Sequence, residues 1–90
     1  MLTVTEIKAA DPKAKAYKLH EAGGLFLLVL PSGTKSWRQK YRFGGKEKQL
    51  THGRFPSLSL KEAREARDEA RRQLEQGVDP AKRSQIARAK

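Results

Sequence analysis

Ninety residues, no cysteine and a formal net charge of +10 leave room for one small domain. They exclude a disulfide framework, a cysteine-rich zinc site and a cysteine nucleophile. With His20 and His52 32 positions apart, a histidine metal site is not expected either. No apolar run approaches the roughly 20 residues that span a bilayer, and no signal-peptide pattern opens the chain. A cytoplasmic protein with no membrane partner and no cofactor is therefore expected. Twenty Lys and Arg against ten Asp and Glu point to a polyanionic partner, with nucleic acid as the first candidate.

In chain order, Thr3-Val4-Thr5-Glu6 fits a capping box, and a short helix from about Val4 to Ala10 should end before Asp11-Pro12. Residues 11–24 read as irregular, with a brief extended piece around Tyr17 to Leu19, and Gly23-Gly24 marks a turn. Leu25 to Leu30 is an apolar run of strand length, followed by the turn residues Pro31-Ser32-Gly33-Thr34. Ser36 to Phe43 alternates with period two. Trp37, Gln39, Tyr41 and Phe43 share one face, and Arg38, Lys40 and Arg42 the other. Gly44-Gly45 signals a two-residue hairpin, and a third strand runs from about Lys46 to His52, ended by Gly53-Arg54-Phe55-Pro56. Ser59 to Gln76 is the clearest helix. It has a capping box at Ser59-Leu60-Lys61-Glu62 and a stripe of Leu60, Ala63, Ala66, Ala70 and Leu74. Its polar face offers Arg64–Asp68 and Asp68–Arg72 pairs, and Gly77 follows as a C′ glycine.

These elements predict an α+β fold: a three-stranded antiparallel sheet packed by the C-terminal helix, with a short N-terminal helix. Leu25, Leu27, Val29, Trp37, Tyr41, Phe43 and Leu50 are the core candidates. Phe26, Leu28 and Leu30 fall on the opposite face. They could touch thymine methyls, meet another protein or be buried beneath residues 11–22. Burial is favoured because exposed apolar patches are costly. Residues 1–77 form the domain. Asp79-Pro80 reads as the start of a further helix within a basic segment, 78–90, taken as a linker toward a following region or a solvated tail.

The positive charge is not evenly spread. Residues 1–34 carry +1, 35–58 carry +6, 59–77 carry none and 78–90 carry +3. The helix with the most charged residues thus contributes nothing to the net, and the central hairpin contributes most. Candidate nucleic-acid contacts are Lys35, Arg38, Lys40, Arg42, Lys46, Lys48, Gln49, Thr51 and Arg54. Arg can read guanine and Gln adenine in the major groove, which admits a β-ribbon, while Lys more often meets phosphate. A plain solvated sheet face is the competing reading, but three cations alternating on one strand with no acid among them are unusual for it.

Other motifs carry less. Trp37-Arg38-Gln39-Lys40-Tyr41 superficially resembles the WRKY signature of plant transcription factors, but that domain needs a Cys/His zinc site. Gly44-Gly45-Lys46 lacks P-loop spacing and is followed by a strand rather than a helix. Ser, His and Asp are present with nothing to pair them. His52, Tyr17 and Tyr41 read as structural residues.

Several motifs in register closely resemble the N-terminal arm-type DNA-binding domain of P4-like phage and genomic-island integrases. They are Gly23 to Val29 (Gly-Gly-Leu-x-Leu-x-Val), Pro31 to Trp37 (Pro-Ser-Gly-x-Lys-x-Trp), Tyr41 to Lys46 (Tyr-Arg-Phe-Gly-Gly-Lys), Gly53 to Pro56 (Gly-Arg-Phe-Pro) and Ser59 to Arg64 (Ser-Leu-x-Glu-Ala-Arg). Leu2 to Lys8 and Gly77 to Pro80 fit as well. His52 departs from the pattern, where such domains usually carry an aliphatic residue.

The resemblance implies a tyrosine recombinase whose N-terminal domain places a three-stranded sheet in the major groove of double-stranded arm-type DNA. Catalytic residues would lie beyond Lys90, so no strand cleavage is expected of residues 1–90. Contact with a neighbouring protomer or a directionality factor, through Phe26, Leu28 and Leu30 or the helix, belongs to a separate reading as a protein-interaction module, and the isolated domain is expected to be monomeric. The alternatives from the residues alone are a small basic RNA-binding protein or a protein-interaction module.

Overall fold

The computed structural model describes residues 2–80. Pro80 is helical, as expected of the first residue after an Asp79 cap; the rest of that helix and the basic run 81–90 lie outside the described residues. Helix α1 (Val4–Ala9) starts where the Thr3 hydroxyl accepts the Glu6 N–H, as the capping pattern predicts. The Glu6 carboxylate meets the Thr3 hydroxyl itself.

The sheet has four strands, not the three expected: β1 (Tyr17–His20), β2 (Leu25–Val29), β3 (Lys35–Phe43) and β4 (Lys46–Phe55), in the order β1-β2-β3-β4 with every pair antiparallel. The additional strand is the piece foreshadowed at Tyr17 to Leu19. Its four residues carry too little apolar signal to stand out, and it is fixed by pairing with β2, Tyr17 opposite Val29 through His20 opposite Phe26. Tyr17 is further held by its hydroxyl, which donates to the Asp11 carbonyl at 2.6 Å.

Gly23 and Gly24, both at positive φ, turn the chain from β1 into β2. A Cβ on Gly24 would collide with the Lys40 carbonyl oxygen, so glycine is required there for close approach as well as for φ. Gly44 and Gly45, with φ of 60° and 77°, close the β3–β4 hairpin as a two-residue turn in which both φ values are positive.

The register slips once, between Trp37 and Arg38. Trp37 faces Gly53 and Arg38 faces Thr51, which leaves His52 as the extra residue of a β-bulge. The bulge lets pairing resume, so β4 continues to Phe55, three residues past the expected end. Gly53 lies directly against the Leu58 side chain.

Helix α2 (Leu60–Glu75) has a reciprocal capping box between Ser59 and Glu62. At its other end, Gly77 N–H donates to Leu74 and Val78 N–H to Gln73, the paired bonds of a Schellman motif, with Gly77 at φ 76°. The surface pairs expected along this helix do not form. Arg64 turns toward Glu21, Asp68 meets Arg67, and Arg72 meets Glu69. An exposed i,i+4 pair gains only about 0.3–0.5 kcal/mol, too little to outweigh a buried carboxylate that needs a cation.

Both helices cover the same face of the sheet. Ile7 of α1 and Leu60 and Ala63 of α2 join Leu2, Leu25, Leu27, Val29 and Trp37 in the main core. Tyr41, Leu50 and Ala70 form a smaller cluster with Phe43 and Leu74 packed on it. Six of the seven expected core residues are buried, and Phe43 is half-buried at the hairpin end. Gln39 sits between the two clusters at 1% exposure, its side chain satisfied by His52 and by the Gly23 carbonyl. Among the described residues, no helix is long and apolar enough to cross a membrane.

Candidate nucleic-acid interface

Because side chains alternate along a strand, placing Trp37, Gln39 and Tyr41 under the helices fixes the opposite face. That face carries Arg38, Lys40 and Arg42 on β3, and Glu47, Gln49 and Thr51 on β4. Beyond the bulge, Arg54 stands opposite Ser36 and joins them. Lys40, Arg42, Gln49, Thr51 and Arg54 are exposed, and Arg38 is half-buried with its Nε 3.4 Å from the Ser36 hydroxyl. Among the described residues no helix or loop covers this face. The fold therefore gathers six of the nine candidate residues on one open surface.

The other three stand on the helix side. Lys35 donates from Nζ to the Ile7 carbonyl at 2.7 Å and ties α1 to the sheet. Lys46, opposite Phe43 at the hairpin, is exposed. Lys48, opposite Tyr41, lies 2.6 Å from the buried carboxylate of Asp79 and 5.6 Å from the centre of the Phe43 ring. The Tyr41 hydroxyl donates to the other Asp79 oxygen at 2.7 Å. These contacts hold the chain after α2 against the sheet, so the packed structure continues past Gly77 to Asp79.

Lys18 and His20 of β1 belong to the open face, although sequence reasoning left them out. The signal was the Tyr17-Lys18-Leu19-His20 alternation, which places the two together once the strand is extended to His20. Phe26, expected on this face and favoured for burial, is 1% exposed. Its cover does come from residues 11–22, but from the paired strand β1 rather than from an irregular segment. Lys18 places its ammonium 5.0 Å from the Phe26 ring centre and the His20 ring lies 6.1 Å away. Leu28 and Leu30 are half-buried.

Apart from the His20 imidazole, no open-face aromatic among the described residues offers a ring for base stacking, since Phe26 is covered and Trp37 and Tyr41 are buried under the helices. Single-stranded RNA readers depend on such rings. What the face offers instead is guanidinium, ammonium, amide and hydroxyl groups on a twisted ribbon, the chemistry suited to base edges and phosphates of a duplex.

A protein-family model described as an arm DNA-binding domain matches residues 2–87. The chain belongs to the arm DNA-binding domain family. Similar curated proteins include the integrase of Shigella phage Sf6 and the prophage integrase IntS of Escherichia coli K12. Each is 48% identical over 82 residues, covering 91% of this chain and 21% of the relative. The integrase of Enterobacteria phage P4 is 43% identical over 90 residues, covering 98% of this chain and 20% of the relative. The chain thus spans about a fifth of the length of these integrases.

His52, the departure from the family pattern, is accommodated in this arm DNA-binding domain by the bulge and by Gln39. The Gln39 amide nitrogen points at the Gly23 carbonyl, so its oxygen faces His52 Nε2 at 2.8 Å, and the imidazole donates from Nε2. Burial lowers the pKa of His52. As pH falls through about 6.5, the unfolded chain takes up this proton before the folded one, so stability declines on acidification. The loss levels off once the folded imidazole is also protonated. Urea denaturation at about pH 7.5 and about pH 5.5 should show this decline, and His52→Gln should flatten it. An unchanged slope in the variant would assign the decline to other groups.

Proposed function

We infer that this arm DNA-binding domain recognises arm-type sites in double-stranded DNA as the N-terminal module of a site-specific tyrosine recombinase, with the open sheet face in the major groove. The observation that carries this reading is the convergence of Arg38, Lys40, Arg42 and Arg54, with Gln49 and Thr51, on the face opposite both helices. Arg38 and Arg42, flanking Lys40 on one strand, are the base-reading residues, with Gln49 and Thr51 beside them. Lys40 and Arg54 hold phosphates. Lys46 reaches the duplex from the hairpin end. Lys35 and Lys48 act through the fold by fixing α1 and Asp79.

The rest of such a recombinase carries the core-binding and catalytic parts, and residues 1–90 cleave no strand. By holding arm DNA while the remainder holds the core site, the domain raises the effective concentration of each at the other. Neighbouring protomers or a directionality factor are the protein partners of that assembly, and the domain alone is a monomer.

Fluorescence anisotropy with an attachment-site arm duplex and a scrambled duplex tests the reading. The arm duplex should bind more tightly, with a log–log salt slope near about −4.5 for about five phosphate contacts. Arg38→Ala and Arg42→Ala should each weaken arm-site binding by about 1–3 kcal/mol and weaken scrambled DNA less. Equal affinity for both duplexes overturns sequence-specific recognition. Equal losses on both would make the two arginines phosphate contacts.

A further inference from the structure

The geometry points to a backbone-phosphate subsite shared by Lys18 of β1 and Lys40 of β3, with Phe26 as the platform that aims Lys18. This rests on the duplex-binding reading above and extends it to the fourth strand. Three observations carry it. First, the Lys18 ammonium stands 5.0 Å from the Phe26 ring centre, so its stem crosses the sheet face toward β3 rather than pointing away from it. Second, Lys18 and Lys40 border an open depression of about 380 Å³, whose remaining walls are Glu47, Lys48 and Gln49 of β4. Third, no ion pair among the described residues involves Lys18 or Lys40.

Two cations brought together without an anion between them are held at an electrostatic cost. The cost shows in Lys18 itself, whose pKa is lowered first by its contact with the Lys40 side chain and by that ammonium's charge. The Glu47 carboxylate opposes this only in part, and by register it stands opposite Arg42. An oxyanion seated between the two ammonium groups reverses the sign of the interaction. A phosphate accepts from both at once, and Gln49 on the wall offers an amide donor. The subsite lies beside the arginines assigned to base reading, where a duplex in contact with Arg38 and Arg42 presents its backbone.

Lys18→Met keeps the apolar stem over Phe26 and removes only the charge, so the fold is preserved. Anisotropy over a salt series should show K18M weakening arm and scrambled duplexes by the same factor, because phosphate contacts carry no sequence information. The double variant K18M/K40M should flatten the log–log slope by about 0.9, the value for one phosphate, rather than about 1.8 for two. A loss of about 1.8 would give each lysine its own phosphate and overturn the shared subsite. Wild-type affinity in K18M, with Arg38→Ala still impaired, would overturn the subsite and leave duplex binding standing. Failure of the unsubstituted domain to bind DNA would overturn both.

Discussion

Trp37→Ala is expected to destabilise the domain by about 3–5 kcal/mol, the range for removing a fully buried large aromatic side chain. Trp37 has no exposed surface and lies in the cluster that joins α1, the sheet and the first turns of α2. Its indole N–H also donates to the Leu58 carbonyl at 2.8 Å, anchoring the segment that leads into α2. Truncation therefore opens a cavity and leaves a half-buried carbonyl without its donor. A domain of this size has a total stability of about 5–15 kcal/mol, so the variant should be partly unfolded at 37 °C. Urea denaturation followed by far-UV circular dichroism measures the loss. Trp37→Phe retains most of the packing and should lose less. A loss below about 1 kcal/mol in Trp37→Ala would mean that the core is not organised around this residue.

Arg64→Ala should have the next largest effect on stability, about 3 kcal/mol, the low end of the cost of stripping one partner from a buried ion pair. The low end applies because the Arg64 side chain is 31% exposed, whereas the Glu21 side chain is fully buried. Arg64 Nε lies 2.6 Å from one Glu21 oxygen, and its Nη2 donates to the Leu2 carbonyl at 2.9 Å. The other Glu21 oxygen accepts the Leu2 N–H at 3.1 Å. One carboxylate thus joins the N-terminus, the β1–β2 turn and α2, and removing the guanidinium leaves its charge without a counterion.

Desolvation raises the Glu21 pKa, but the Arg64 bond and the backbone N–H groups outweigh it and the net shift is downward. The stabilisation is therefore complete above the unfolded carboxyl value of about 4.3 and is lost as pH falls through the lower folded value. Stability measured from neutral to acid pH should show this in the unsubstituted domain. In Glu21→Gln, which has no titrating group at that position, the contribution should vanish. A Glu21→Gln profile that matches the original in the acid range would remove Glu21 as its source.

The contrast between Arg64 and Arg38 shows how far sequence reading reaches. Arg38 was assigned from alternation alone, because its neighbours Trp37 and Gln39 had to face the helices, and the strand obeys that parity. Arg64 was given a surface partner four residues away, because local spacing is all that a helix sequence displays. Its actual partner, Glu21, is 43 residues away and becomes available only when the β1–β2 turn packs on α2. Lys35 and Lys48 follow the same logic. Both are basic residues of the central segment, but parity puts them on the helix side, where the Ile7 carbonyl and the Asp79 carboxylate wait.

The concentration of +6 in residues 35–58 was thus a property of the sequence, as were the two glycine turns, both helix caps and the burial of the strand aromatics. These depend on side-chain alternation, backbone freedom and hydrogen bonds between near neighbours, all of which a short window of residues contains. The fourth strand, the His52 bulge, the Glu21–Arg64–Leu2 junction and the meeting of Lys18 with Lys40 were decided only by tertiary structure. Each joins groups far apart in the chain. The energy that selects them, the pairing of strand edges and the solvation of buried or crowded charge, exists only once those groups are brought together.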